Sequence, residues 1–448
     1  MSSLKRYAIV GVGSRAAFYY NAITRDFKKT ALLVAFCDVN QTRMNVANNR
    51  IQESGVGPVK TYKSEEFDRM MKEQKPDFVI ITTIDRVRHK YAIRAMELGA
   101  DAIVEKPMTI DEDKLQQLID AVKRTGHEIR VTFNYRYAPH NTKIRQLIVE
   151  DTIGDVTSVH FEWLLNTTHG GDFFRRWHRI KDNSGGLLLS KSIHHFDLVN
   201  FWLGQEPATV FAMGGLMFYG RENAEARGVT KFYNRTYGSE NAKGDPFALH
   251  LDQNRNLKEL YLDAEHEDGY FRDQSVFGEG ISIEDTLGLM VKYRNNAILT
   301  YSTYAYAPYE GFRVAFNGTK GRIEMVVIEG QYIPGGEKIG NKEDEGKKMT
   351  SHVFGGAAEG EESLVEGRSI KVLPMFGKPY DVEIEEATGG HGGGDPLLLD
   401  DILGGRKPDR YNRASFIREG AMSVLIGAGG NKSMRTGQVV KVADLVKW

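Results

Sequence analysis

Residues 7–23 read "YAIVGVGSRAAFYYNAI", and the way this stretch folds decides the architecture of the whole chain. A short apolar run leads into Gly11-Val12-Gly13-Ser14-Arg15-Ala16, which opens a helix. Gly11 permits a tight turn, Gly13 lets the backbone approach a pyrophosphate, and the small Ala16 allows close helix–strand packing. Phosphates can then sit at the helix N-terminus, beside Ser14 and Arg15. A glycine turn alone is a weak signal, because such turns follow many strands. The second apolar run, "ALLVAFCD", strengthens it by ending at Asp38, 22 residues after Ala16. A carboxylate there can hydrogen-bond the ribose of an adenosine. Asp38 repels a 2′-phosphate and so favours NAD over NADP, while the nearby Arg43 pulls the other way.

Further apolar runs, "DFVIITT", "DAIVEKP" and "EIRVTF", alternate with amphipathic segments such as "DEDKLQQLIDAVKRTG". Continuous apolar runs separated by helices are the pattern of buried parallel strands joined by right-handed crossovers. The expected fold is a doubly wound α/β sheet, an NAD(P)-binding Rossmann domain over residues 1–127. Beyond it, "VTSVHFEWLL", "LGLMVKYRNNAILTYSTYAY" and "FRVAFNGTKGRIEMVV" alternate with period two and carry turn signals. That texture predicts antiparallel strands with one covered face, hence an α+β substrate-binding domain over 128–448. Polar, glycine-rich stretches near 221–258 and 334–368 read as surface insertions.

The 448 residues suit two domains, and 59 Lys+Arg against 60 Asp+Glu leave no electrostatic footprint for nucleic acid or an anionic membrane. A small molecule is the expected partner. The only cysteine, Cys37, excludes an internal disulfide framework and a cysteine zinc site, and it fits a reducing compartment. The opening "MSSLKRYAIVGVG" has no signal-peptide pattern, and no apolar run reaches the roughly 18–20 residues of a membrane span. The expected location is cytoplasmic. His391 and Asp395 in "GGHGGGD" lack a third ligand at a fixed spacing, so no metal is assigned.

"DAIVEKPMTI" places Glu105-Lys106-Pro107 at the carboxyl end of a strand, where side chains enter the ligand crevice of such a sheet. Residues 187–204, "LLLSKSIHHFDLVNFWLG", are apolar yet carry Lys191, His194, His195 and Asp197, so they are half exposed or line a polar cavity. With the opening GVGSRA, "HKYAIRAMELG" from His89, "FNYRYAP", "IGDV", "FNGTKGRIE" and "GGHGGGDPLLLDDIL", these pieces make the chain resemble the glucose–fructose oxidoreductase / inositol dehydrogenase / MocA family of NAD(P)-dependent oxidoreductases.

The resemblance implies that a large, mostly antiparallel open sheet follows the Rossmann domain, and that this sheet pairs subunits into a homodimer or homotetramer. It implies a carbohydrate or cyclitol substrate whose secondary hydroxyl is oxidised against the nicotinamide. Lys106 maps onto the lysine that hydrogen-bonds the reacting hydroxyl, and His194 onto the catalytic histidine. A histidine can take the hydroxyl proton and an ammonium can stabilise the developing alkoxide. Thr83, His89, Glu105, Lys106 and Asn134 complete the expected cofactor set. Arg136, Arg176, Trp177, His195, Asp197 and His391 are the expected substrate contacts, with Tyr270, Arg272 and Asp273 in "EDGYFRD" able to reach the cleft. Many relatives carry an aspartate four residues before the histidine, where this chain has Ser190. Lys191 before HH-x-D resembles one branch of the family and adds a second cation as a third catalytic candidate. Two alternatives stay open: glycoside cleavage by oxidation, elimination and re-reduction on NAD, and a regulator that binds dinucleotide without turnover.

Overall fold

A computed structural model of the protein describes residues 4–330, 367–387, 389–405 and 407–448. The insertion expected near 334–368 lies outside the described residues except for its last two, which open a strand.

Strands β1 (Lys5–Val10), β2 (Ala31–Asp38), β3 (Lys60–Lys63), β4 (Phe78–Ile81), β5 (Asp101–Val104) and β6 (Ile129–Val131) form a parallel sheet in the order β3-β2-β1-β4-β5-β6. The direction of winding reverses between β1 and β4, which opens a crevice at the carboxyl ends of these strands. The runs are apolar without alternation because both faces are covered. Tyr7, Ile9, Ile80 and Ile103 enter one core, while Ala8, Val10, Val79, Ile81, Ala102 and Val104 enter the other. The first core is completed from the far end of the chain, by Leu398, Ile402 and Leu403 of the Gly390–Leu403 helix. Tyr7 Oη donates to the Ile402 carbonyl at 3.1 Å. The parallel layer therefore runs past residue 127 to Val131 and borrows its cover from residues 390–403.

The second sheet contains β7 (Val156–Asn166), β8 (Pro207–Gly215), β9 (Thr286–Tyr293), β10 (Ile298–Ala307), β11 (Glu310–Gly318), β12 (Gly321–Gly330), β13 (Gly367–Pro374), β14 (Tyr380–Val382) and β15 (Val440–Lys441). Its order is β14-β13-β12-β11-β7-β10-β9-β8-β15, and only the β7–β10 pair is parallel. Alternate side chains, among them Val159, Phe161, Trp163, Leu289, Val291, Val314 and Phe316, turn inward onto one core. The other face is open, with Met213 and Met290 exposed upon it.

The Ile193–Leu203 and Ile417–Thr436 helices pack beneath the covered face. Gly427 and Gly430 let the longer helix press on residues 187–190, since a Cβ at either would stand 2.7 Å from Leu189 or Leu188. The Ile193–Leu203 helix is buried along ten of its eleven residues, and much of its polarity is consumed internally. Arg136 donates through Nε and Nη2 to the two oxygens of Asp197, both at 2.6 Å. The His195 ring stacks on Trp163 at 3.9 Å, and its Nδ1 lies 2.6 Å from Tyr301 Oη.

Truncating one member of a buried ion pair strands the other charge, so Asp197→Ala is expected to cost about 3–5 kcal/mol in denaturant melts. Replacing both partners with apolar residues, Arg136→Met with Asp197→Leu, should recover most of that loss. A single-variant cost below about 1 kcal/mol, as for a surface pair, would contradict the buried bridge.

Candidate active site

The carboxyl ends of β1, β2 and β4 meet at the glycine turn. Gly11 adopts φ +87°, and a Cβ there would stand 2.5 Å from the Thr83 backbone nitrogen. Thr83 therefore shapes the turn through its main chain. The Gly11 amide donates to the Cys37 carbonyl at 2.8 Å, joining the first two strands. Asp38 accepts from the amides of Val12 and Asn40. Burial pushes the Asp38 carboxyl above its ordinary value, and those amides together with Arg43 oppose the shift. A turn with no room for a side chain, ending beside a carboxylate, fits the adenosine–pyrophosphate half of a dinucleotide.

The remaining expected cofactor residues divide by role. Arg15 Nε donates to Glu105 Oε1 at 2.6 Å, and Tyr19 Oη donates to the same oxygen at 2.6 Å. Glu105 thus fastens the helix that follows the glycine turn to the end of β5. Ser14 faces Tyr261, with its amide 3.2 Å and its Oγ 2.6 Å from Tyr261 Oη. His89 has Lys114, Lys90 and Asp111 as its charged neighbours, and burial first, then the lysines, lower its pKa to about 4. None of these neighbours belongs to the glycine turn.

Lys106, Lys191 and His194 come together where the two sheets meet. Lys106 Nζ donates to the Ser190 carbonyl at 3.1 Å. Burial and the repulsion of Lys191 bring Lys106 down to about 7. Lys191 is buried with its ammonium 5.0 Å from the Trp163 ring and 5.9 Å from that of Tyr135, and burial lowers its pKa. His194 is 2% exposed, and neither ring nitrogen has a partner among the described residues. Its ring lies 5.0 Å from Tyr135 and 5.7 Å from His391. Burial, and next Lys106, hold His194 well below its ordinary pKa, so the imidazole is neutral at pH 7. Two unpartnered nitrogens on a buried ring are costly, and a ligand with hydroxyl groups would satisfy them.

No carboxylate stands four residues before His194, where Ser190 Oγ donates to the Gly186 carbonyl at 2.9 Å. A histidine–carboxylate pair arrives instead from the "GGHGGGD" segment. His391 Nδ1 lies 3.0 and 3.1 Å from the two oxygens of Asp395. Asn134 Nδ2 donates to Asp395 at 2.6 Å and lies 2.7 Å from His391 Nδ1, which brings Asn134 to this cluster. Arg176 Nε stands 3.0 Å from Asp172, which also holds Arg272 at 2.6 Å, while Trp177 stacks on His178. Arg136, His195 and Asp197 are engaged with Trp163, Tyr301 and one another, as described above. Among the described residues no group of three or more His, Cys, Asp or Glu side chains could hold a metal ion, and no helix is long and apolar enough to cross a membrane.

Sequence reasoning missed Tyr261, Glu267 and Asp268. These residues bring a segment of the second domain onto the first, and it begins within the insertion expected at 221–258. The only signal was the polar cluster "EDGYFRD", which overlaps the end of this segment.

Residues 5–133 match an oxidoreductase family's NAD-binding Rossmann fold, and residues 145–442 match its C-terminal alpha/beta domain. The Bacillus subtilis protein YteT is 32% identical over 452 residues, spanning 99% of each chain. Inositol 2-dehydrogenase from Rhizobium meliloti is 28% identical over 141 residues, which are 32% of this chain and 41% of that one. The crystal structure of aldose–aldose oxidoreductase from Caulobacter crescentus, complexed with glycerol, shares the fold with a TM-score of 0.61. That likeness covers 98% of this chain and 100% of the other at 17% identity. The glycine turn, the two sheets and these matches together establish that the chain belongs to the GFO/IDH/MocA family of oxidoreductases.

Proposed function

We propose that the protein oxidises a secondary hydroxyl of a sugar, glycoside or cyclitol against NAD, with Lys106 and His194 flanking that hydroxyl. The observation that carries this reading is the convergence of the buried Lys106, whose pKa burial and Lys191 lower, on a buried histidine lacking partners for either nitrogen among the described residues. NAD, when bound, supplies the hydride acceptor. The chain's task is to hold the hydroxyl and take its proton. A general base works best when its pKa lies near the working pH. That favours the neutral Lys106 amine as the proton acceptor and the neutral His194 imidazole as the hydrogen-bond partner that orients the hydroxyl. The sequence had suggested the opposite division, with the histidine as base. The difference comes from burial, which depresses both groups and leaves the lysine, starting higher, in the useful range.

The buried Lys191 ammonium adds positive potential where negative charge develops on the substrate oxygen. Polar groups left unpartnered in a buried site reject alcohols that cannot satisfy them, which supports a substrate rich in hydroxyls. Arg176, Trp177 and the His391–Asp395 pair are the further contacts offered to such a ring. Arg136 and Asp197 serve to position the Ile193–Leu203 helix. Asp38 supports NAD over NADP, the open sheet face with Met213 and Met290 supports a homodimer or homotetramer, and the lone Cys37 supports a cytoplasmic location. A second reading, glycoside cleavage by oxidation, elimination and re-reduction, is favoured by the His391–Asp395 pair, an acid/base group beyond what one hydride step requires.

A screen of NADH formation against free sugars, inositols and aryl glycosides tests the assignment. Steady NADH release from one of these classes is expected, whereas aglycone release without NADH accumulation would select the second reading. Neither signal from any class would overturn both. Lys106→Met should lower kcat/KM by about 10²–10⁴-fold, the usual contribution of a positioned acid or base. For oxidation, kcat/KM should rise with pH to a plateau through an apparent pKa near 7, because Lys106 must lose its proton before accepting another. A profile that falls through that region would instead make the ammonium the active form.

A further inference from the structure

We infer that Glu267 and Asp268 fix the cofactor as NAD by occupying the groups that would otherwise hold a 2′-phosphate. The inference rests on the dinucleotide reading above and adds determinants that lie outside the Rossmann layer.

A 2′-phosphate in such a fold is held by amides at the start of the helix after β2 and by a nearby arginine or lysine. This chain possesses all of them. The helix Gln41–Glu53 begins three residues after Asp38, Arg43 lies on its first turn, and Lys63 ends β3. Each is already engaged by the segment spanning residues 249–273. Glu267 accepts from the amides of Gln41 and Thr42, both at 2.7 Å, and from Thr42 Oγ1 at 2.6 Å. Lys63 Nζ donates to the same carboxylate at 2.9 Å. Arg43 donates through Nη1 to Asp268 at 2.6 Å and through Nε to the Leu260 carbonyl at 3.0 Å. The Glu267 and Asp268 side chains are only 16% and 15% exposed, so solvent screens these contacts incompletely.

The segment is built to stay in place. Leu249, Leu251 and Leu257 form a small core of their own, against which Tyr261 and Leu262 pack. Asn40 Nδ2 donates to the Ala264 carbonyl at 2.8 Å, and Arg50 pairs with Glu259 at 2.9 Å. With Asp38 included, two cations face three carboxylates at the adenosine end of the crevice. A phosphate dianion would have to displace two of those carboxylates and remain beside the third. A ribose 2′-hydroxyl meets no such conflict, because it donates to Asp38.

The test is equilibrium binding of NADH and of NADPH to the full chain, followed by nicotinamide fluorescence and needing no substrate. The wild type should bind NADH about 100-fold or more tightly than NADPH, in line with the repulsion of a dianion by partly buried carboxylates. Glu267→Gln combined with Asp268→Asn should narrow that ratio about tenfold through tighter NADPH binding, with NADH changed little. Asp268→Asn alone leaves every bond of Glu267 in place, so it should fold even if the double variant does not, and it should narrow the ratio in the same direction. A ratio unchanged in a folded variant, or a wild type that binds NADPH as well as NADH, overturns the inference while leaving the dinucleotide reading intact. Failure of the wild type to bind either one overturns both.

Discussion

The buried carboxylate of Glu105 is the contact on which the cleft depends. It closes β5, and its Oε1 accepts from Arg15 and from Tyr19, both on the stretch that follows the glycine turn. A carboxylate this deep, 4% exposed, is tolerable only because those donors compensate it. The next residue is Lys106, so one interaction fixes both the glycine turn and the direction of the Lys106 amine, the two features on which the proposed reading rests. Arg88 reinforces it by donating to the carbonyls of Glu105 and Pro107. Loss of the Glu105 contact would therefore disturb cofactor and substrate together.

The second domain completes the cleft by sorting its buried polar groups into two kinds. Arg136 with Asp197, and His195 with Trp163 and Tyr301, use their polarity to lock the Ile193–Leu203 helix beneath the sheet. His194, on the same stretch, has no partner for either ring nitrogen among the described residues, while Lys191 faces the Trp163 and Tyr135 rings with Glu310 and Glu329 as its nearest opposite charges. Such a division is expected where a rigid scaffold must hold a polar group, here the His194 ring, without a protein partner. It explains why an almost wholly buried helix carries so many ionisable residues.

Much of this was legible in the chain itself. Continuous apolar runs gave away the two-sided burial of the parallel sheet, and period-two alternation gave away the one-sided burial of the second. Gly11, Asp38, Lys106 and His194 announced themselves through spacing and through the family they resemble. What remained hidden rests on contacts distant in sequence. Nothing local distinguishes His194, which lacks partners, from His195, which stacks on Trp163 more than thirty positions earlier. Glu105 read as a cofactor contact because its partner Arg15 lies 90 residues away. Glu267 and Asp268 open the quoted "EDGYFRD", yet their role could not be read there, since the amides and cations they neutralise belong to residues 41–63. Asp395, which pairs with His391 rather than with His194, lies about two hundred residues after Ser190.

The central claim is that the glycine turn, Lys106 and His194 serve one bound dinucleotide and one hydroxyl beside it. A crystal structure of the protein with NADH tests this most directly. The account predicts the pyrophosphate against Gly11 and Gly13, the adenosine ribose on Asp38, and the nicotinamide ring beside the space between Lys106 and His194 that receives the hydroxyl. A nicotinamide directed away from His194, or a pyrophosphate bound elsewhere than the glycine turn, would contradict it.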